Sequence, residues 1–193
     1  MLKEKLNAYH VILASKSPRR QQILKELGIP FEIQLKEVKE VYPKDLKGTE
    51  ITDYLAVLKA KPFKENLQNN ELIITSDTIV WLENRALGKP HSEKDAINML
   101  QHISGKKHQV ISSICLTTKN FQRTFSDTTE VYFKQLSLEE IEYYIRKYQP
   151  FDKAGSYGIQ EWIGYIGIEK IVGSYFNVMG LPVHKLYEEL MQL

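Results

Sequence analysis

Strand-like and helix-like segments alternate along most of this chain, and that alternation is what most narrows the folds open to it. Residues 9–13 form a short apolar run with the look of a buried strand. Ser17-Pro18 then opens a helix, with Ser as N-cap and Pro at the first helical position. Ile23, Leu24 and Leu27 make its apolar stripe, and Gly28 closes it. Phe31, Ile33 and Leu35 alternate as a second strand, residues 36–48 are charged and irregular, and 51–60 read as a helix with Ile51, Leu55 and Leu58 on one face. An apolar run at 72–82 carries Ser76-Asp77-Thr78 in its middle and leads to a turn at Glu83-Asn84-Arg85. Ser92 with Asp95, and Ser137 with Glu140, have the spacing of N-terminal capping boxes. The first opens a helix faced by Ala96, Ile97, Leu100 and Ile103 and ended by Gly105; the second opens one that must stop before Pro150. Between them, 108–118 and 124–133 look like an antiparallel strand pair. Residues 154–172, rich in glycine and aromatics, suggest strands in close backbone approach. Pro182 starts a last helix with Leu186, Leu190 and Leu193. The whole predicts an α/β fold around a mixed sheet, with no internal repeat and no linker.

Composition excludes several classes. A total of 26 Lys+Arg against 24 Asp+Glu leaves a net charge of +2, too balanced to signal nucleic-acid binding. One cysteine, Cys115, cannot make an intramolecular disulfide or the zinc site of a base deaminase, and its place between Ile114 and Leu116 suits packing. The N-terminal apolar stretch at 11–14 is too short for a signal-peptide core, and no window approaches the ~18 apolar residues of a membrane span. These features predict a soluble cytoplasmic protein with no nucleic-acid or membrane partner. Gly88-Lys89 and Gly105-Lys106 lack the upstream glycine of a P-loop, and no nucleophile elbow or dinucleotide fingerprint is present. Of five histidines none forms a helical metal pair; His108, at a strand start, stands apart from His10, His91 and His184.

Four segments can carry chemistry. Ser15-Lys16-Ser17-Pro18-Arg19-Arg20 lies between a strand and a helix N-terminus, where unpaired N–H groups favour anions. Arg19 and Arg20 in the first turn oppose the helix dipole at about 0.3–1 kcal/mol each, which a bound phosphate would reverse; an ordinary capped helix with solvated arginines is the alternative. Asp77 is either a carboxylate buried in a strand, needing a metal or lysine partner, or the start of a turn after Ser76. Lys89, in Leu87-Gly88-Lys89-Pro90, is taken alone a solvated lysine on a rigid turn. Gln160 ends the glycine-bracketed segment Gly155-Ser156-Tyr157-Gly158-Ile159-Gln160; its amide suits a base edge, while a plain strand bend is the alternative.

In order and spacing these segments resemble the Maf family of nucleotide pyrophosphatases. The motifs are Leu13-Ala14-Ser15-Lys16-Ser17-Pro18-Arg19-Arg20, Leu55-Ala56 with Lys59-Ala60, Ser76-Asp77-Thr78-Ile79-Val80, Gly88-Lys89-Pro90, His108-Gln109-Val110, residues 154–160, Gly173-Ser174-Tyr175, and Val178 with Gly180-Leu181-Pro182. The resemblance spans roughly residues 9–190. It implies one domain over 1–193 made of two lobes with a cleft, related to inosine triphosphate pyrophosphatases. It further implies a divalent metal, Mg²⁺ or Mn²⁺, and cleavage between the α and β phosphates of a nucleoside triphosphate. By motif, Asp77 matches the catalytic acid; Ser15, Arg19, Lys59 and Lys89 match phosphate-binding positions; Glu40, with Glu37 as the alternative, matches an acidic residue near the metal. Arg20, Thr78 and Gln160 match the three base-specificity positions, and this set resembles the dTTP/UTP subfamily rather than the 7-methyl-GTP subfamily with Trp, Gln and Glu. Ser156 replaces a usual Ala, and Glu161-Trp162 follows Gln160 where Gly is common, which alters the expected mouth of the pocket. The family is also linked to limiting modified nucleotides and to cell-division arrest, so a non-catalytic division regulator is the rival reading. A homodimer is compatible with the sequence.

Overall fold

The computed structural model describes residues 1–193 and has a mixed seven-stranded sheet flanked by helices. In chain order the strands are β1 (His10–Leu13), β2 (Glu32–Ile33), β3 (Glu71–Leu82), β4 (Arg85–Leu87), β5 (Lys107–Thr117), β6 (Gln122–Phe133) and β7 (Ile168–Val172). The helices are α1 (Leu2–Lys5), α2 (Pro18–Glu26), α3 (Thr49–Lys64), α4 (Glu93–Ile103), α5 (Leu138–Tyr148), α6 (Trp162–Gly167), α7 (Tyr175–Val178) and α8 (Val183–Leu190). The sheet order is β2-β1-β3-β5-β6-β7, with β4 paired to β3. No helix is long and apolar enough to cross a membrane.

The chain divides into two compact units. The first comprises Met1–Asp77, Ser112–Asp127 and Gly180–Leu193. Here β1 runs parallel to both β2 and β3, with Leu13 opposite Ile33 and Ile74. Ile12, Phe63, Leu67 and Ile73 pack as one buried cluster, and Ala56, Ala60 and Cys115 as another, so α3 covers the sheet. Cys115 is indeed a core residue. The buried Thr75 hydroxyl donates to the Ala56 carbonyl at 2.7 Å, and Ser113 Oγ lies 2.6 Å from both Thr52 Oγ1 and Asp53 Oδ1. These polar bonds set the register of α3, which matters because α3 carries Lys59.

The second unit comprises Thr78–Ile111 and Thr128–Met179. The turn expected at Glu83-Asn84 holds both residues at positive φ (50° and 61°) and returns the chain as β4. Ser92 caps α4 through the Asp95 N–H, but the Asp95 carboxylate accepts from His91 N–H rather than closing a box on Ser92. Ser137 and Glu140 do make the reciprocal box at α5. A single core joins Val80, Leu100, Ile103, Val131, Phe133, Ile141, Tyr144, Tyr157 and Ile163 among others.

Two sequence expectations need correction, and the alternative left open at Asp77 resolves in favour of the buried strand. Residues 30–35 form a strand only at Glu32–Ile33, because β1 ends at Leu13 and offers no further ladder; Ile33 and Leu35 are exposed. The run 72–82 does not break at Asp77: β3 is continuous through it. Residues 154–172 are not mainly strands. Ala154–Ser156 is a 3-10 turn with Gly155 and Ser156 at positive φ, α6 follows, and only Ile168–Val172 pairs in the sheet.

Candidate active site

Two carboxylates of the first unit meet at Lys59. From the interior of α3, its Nζ reaches Asp77 Oδ1 at 2.6 Å and Glu40 Oε2 at 3.2 Å. Asp77 is buried in the middle of β3, so its carboxylate has the close cationic partner that burial demands. Glu40 is half exposed, on the irregular segment before α3. The Ser76 carbonyl, one residue before Asp77, accepts from Arg20 Nη1 at 3.0 Å and lies 3.5 Å from Lys59 Nζ. Arg20 Nε donates to the Gly180 carbonyl at 2.8 Å. Desolvation draws the Arg20 pKa below the ordinary arginine value; the Asp77 carboxylate opposes that, Arg19 adds to it, and Glu40 opposes it more weakly. Arg19, Arg20, Glu40, Lys59 and Asp77 thus share one electrostatic neighbourhood.

The α2 N-terminus borders it. Ser17 caps the helix through Arg20 N–H, and the buried Ser15 hydroxyl accepts from Ser17 N–H at 3.2 Å. Ser15 is therefore part of the turn's own bonding.

Asp77 and Glu40 direct carboxylate oxygens at one cation, and no group of three or more His, Cys, Asp or Glu is gathered in a metal-ligating cluster. That donor set fits a magnesium-like ion, which takes one or two carboxylates and completes its shell with phosphate oxygens and water. It does not fit a zinc-type site.

The other predicted residues belong to the second unit. Thr78 follows Asp77 directly in β3. Lys89 is exposed on the turn after β4, and the neighbouring Gly88 carbonyl accepts from Gly155 N–H at 3.0 Å. Gln160 is partly buried, and its Oε1 is buried without a hydrogen-bond partner. His108, singled out from the sequence, is buried at the start of β5. Its Nε2 lies 2.8 Å from the Tyr157 hydroxyl, and burial lowers its pKa to about 4, so it is neutral at physiological pH.

The family model for Maf-like proteins matches residues 10–193. The chain belongs to the Maf family. Among Maf relatives, a protein named dTTP/UTP pyrophosphatase from Phocaeicola vulgatus is 58% identical over 98% of this chain and 99% of its own. One of the same name from Flavobacterium johnsoniae is 54% identical over the full length of both, and one from Flavobacterium psychrophilum is 56% identical over 99% and 98%. The Staphylococcus aureus Ham1 protein superposes with a TM-score of 0.43 at 15% identity, over 64% of this chain and 71% of that one, too loosely to carry a shared fold.

Beyond the Maf motifs, sequence reading missed a buried polar network in the second unit. Lys153 Nζ lies 2.7 Å from Asp152 Oδ1 and 3.1 Å from Glu161 Oε1. Glu161 Oε2 accepts from the Tyr144 hydroxyl, whose oxygen accepts from Gly158 N–H at 3.0 Å. The available signal was Tyr144 itself: it sits on the apolar face of α5 with Ile141 and Ile145, and a buried phenol requires a partner.

Proposed function

We infer that this Maf protein is a nucleoside triphosphate pyrophosphatase that hydrolyses dTTP and UTP to the monophosphate and pyrophosphate. What supports the reading is the buried Asp77 held by Lys59, with Glu40 on the same ammonium, in a chain matched end to end by relatives of that name. Those matches give no support to a purely regulatory binding protein.

The chemistry follows from charge. A triphosphate is strongly anionic, so water approaches the α-phosphorus only once that charge is countered. Arg19, Lys59 and Lys89 are the cations assigned to the phosphates, with Ser15 on the same side of the reaction. Asp77 is assigned as the group that accepts the proton of the attacking water. Its bond to Lys59 holds the carboxylate in one orientation. Asp77 and Glu40 would hold a divalent ion, Mg²⁺ or Mn²⁺, which supplies further neutralisation of phosphate oxygens when bound. No covalent nucleophile is required.

Base recognition is assigned to Arg20, Thr78 and Gln160. Thymine and uracil present an N3–H donor between two carbonyl acceptors. The buried, unpartnered Gln160 Oε1 is the acceptor such a donor needs, and its amide NH₂ can serve an adjacent carbonyl. Arg20 is held in one orientation by Ser76 and Gly180, and Thr78 is small with a hydroxyl. Cytosine presents a donor at position 4 and an acceptor at N3, a mismatch of about 1–3 kcal/mol.

Two measurements test this reading. Purified protein with dTTP and Mg²⁺ should release dTMP and pyrophosphate in equal amounts and stop when the metal is chelated; steady orthophosphate without pyrophosphate would refute the reaction class. In the second, kcat/KM should be high for dTTP and UTP, roughly fivefold or more lower for CTP, as the mismatch energy implies, and low for GTP and 7-methyl-GTP. Equal values throughout, or a preference for 7-methyl-GTP, would remove the base assignment and leave the reaction class standing.

A further inference from the structure

We propose that Lys153, Glu161 and Tyr144 form a buried clasp that positions the base-reading segment of residues 155–160, setting base preference without touching the reacting phosphates. The proposal rests on the assignment of Gln160 to the base.

Lys153 and Glu161 stand at the two ends of the segment, and their ion pair closes it. Glu161 is gripped twice more: its N–H donates to the Gly158 carbonyl at 3.0 Å, and its second carboxylate oxygen accepts from Tyr144. The Tyr144 hydroxyl thereby has a fixed direction, donating to Glu161 and accepting from Gly158, two residues before Gln160. Desolvation, with the Glu161 hydrogen bond second, raises the Tyr144 pKa well above that of an ordinary tyrosine, so the hydroxyl keeps the proton it donates. The pair also packs directly on the backbone. A Cβ at Gly158 would lie 2.9 Å from Glu161 Cδ and 3.1 Å from Lys153 Cε, so a side chain there would push the ends of the pair aside. At the other end, Gly155 N–H is bonded to the Gly88 carbonyl, and a Cβ on Gly155 would lie 2.7 Å from Val80 Cγ2.

Lys153 and Glu161 side chains are only 9% and 18% exposed. Apolar residues of similar volume commonly stabilise as well as a buried ion pair does, so stability alone does not account for such a pair. A directional network does what an apolar plug cannot: it fixes one backbone course for the residues leading to Gln160, whose acceptor oxygen is left buried and unpartnered. Misplacing a recognition group by about 1 Å can cost up to about 10²-fold in rate. Lys153, Glu161 and Tyr144 are positioning residues in this sense.

The test compares Glu161→Gln, Tyr144→Phe, their double variant and Gln160→Ala, using dTTP and CTP as substrates. Glu161→Gln and Tyr144→Phe should each raise KM for dTTP about tenfold, leave kcat within about threefold, and lower the dTTP-to-CTP ratio of kcat/KM at least about fivefold. The double variant should be little worse than the more severe single one, since both break one network. Should Glu161→Gln fail to fold, Tyr144→Phe, which keeps the ring and removes one hydroxyl, carries the comparison. If Gln160→Ala shifts the ratio while the clasp variants keep wild-type KM and ratio, the clasp is overturned and the base assignment survives. A proportional loss of kcat for both substrates also overturns it. If Gln160→Ala leaves the ratio unchanged, the base assignment falls and takes the clasp with it.

Discussion

Asp77→Asn is expected to lower kcat by at least about 10²-fold while the protein remains folded. The amide preserves shape and can still accept a hydrogen bond from Lys59, but it carries no charge and takes no proton at neutral pH. It also removes one of the two carboxylates assigned to the metal. Breaking a buried ion pair can cost about 3–5 kcal/mol when a charge is stranded. Here the stranded ammonium retains Glu40 at 3.2 Å and is 16% exposed, so the stability loss should be well below that range. Circular dichroism and a melting curve on the same sample used for kinetics separate the two effects. Near-normal turnover in a folded Asp77→Asn protein would end the catalytic assignment of this residue.

The second large effect concerns stability. Gly164→Ala places a methyl carbon 1.8 Å from the Ile159 carbonyl oxygen and 2.6 Å from its carbon, a collision with backbone that no rotamer relieves. The start of α6 must then move away from the segment ending at Gln160. Overpacking typically costs 1–3 kcal/mol, and a backbone clash belongs at or above the top of that range, so about 3 kcal/mol is expected. For a chain of this size that corresponds to a fall in Tm of roughly 6–12 °C. Differential scanning calorimetry against wild type decides it; an unchanged Tm would mean that α6 shifts freely. Gly88→Ala is the natural control, because a Cβ there meets nothing within 4 Å.

What the sequence made legible was local. Ser17, Ser92 and Ser137 announce helix starts because capping bonds span only three residues, and Glu83-Asn84 announces its turn because both residues must adopt positive φ. The long apolar run at 72–82 is legible as β3, but whether Asp77 lay within it depended on Lys59, eighteen positions earlier in the chain, and pattern does not reach that far. Phe31, Ile33 and Leu35 alternate well enough for a strand, yet a strand exists only where a partner does, and β1 supplies one as far as Leu13. The glycines of 154–172 were visible, but their purpose was not. Gly155 serves a left-handed backbone and Gly164 a carbonyl contact, neither of which is a strand. The family resemblance carried the candidate residues as a set, including Lys59 and Gln160, which periodicity could not single out. It was silent on Lys153 and Tyr144 and marked Glu161 only as a departure from the family pattern; the bonds these three share exist only after α5 has folded over the segment it clasps.

Neither compact unit is a continuous stretch of chain. The polypeptide passes from one to the other after Asp77, Ile111, Asp127 and Met179, and β3, β5 and β6 each contain one of those passages. No single proteolytic cut can therefore free either unit as an intact fragment. During synthesis the same weave imposes an order. The first unit has its β1–β3 framework early, yet Arg20 finds its Gly180 carbonyl, and Arg123 its Glu189 carboxylate at 2.5 Å, only when the last part of the chain has emerged. Contacts this distant in sequence make folding slow relative to a helical bundle of equal length. The Arg20 guanidinium can bond the Ser76 carbonyl early, but it gains its second backbone acceptor, Gly180, only after most of the chain has been made.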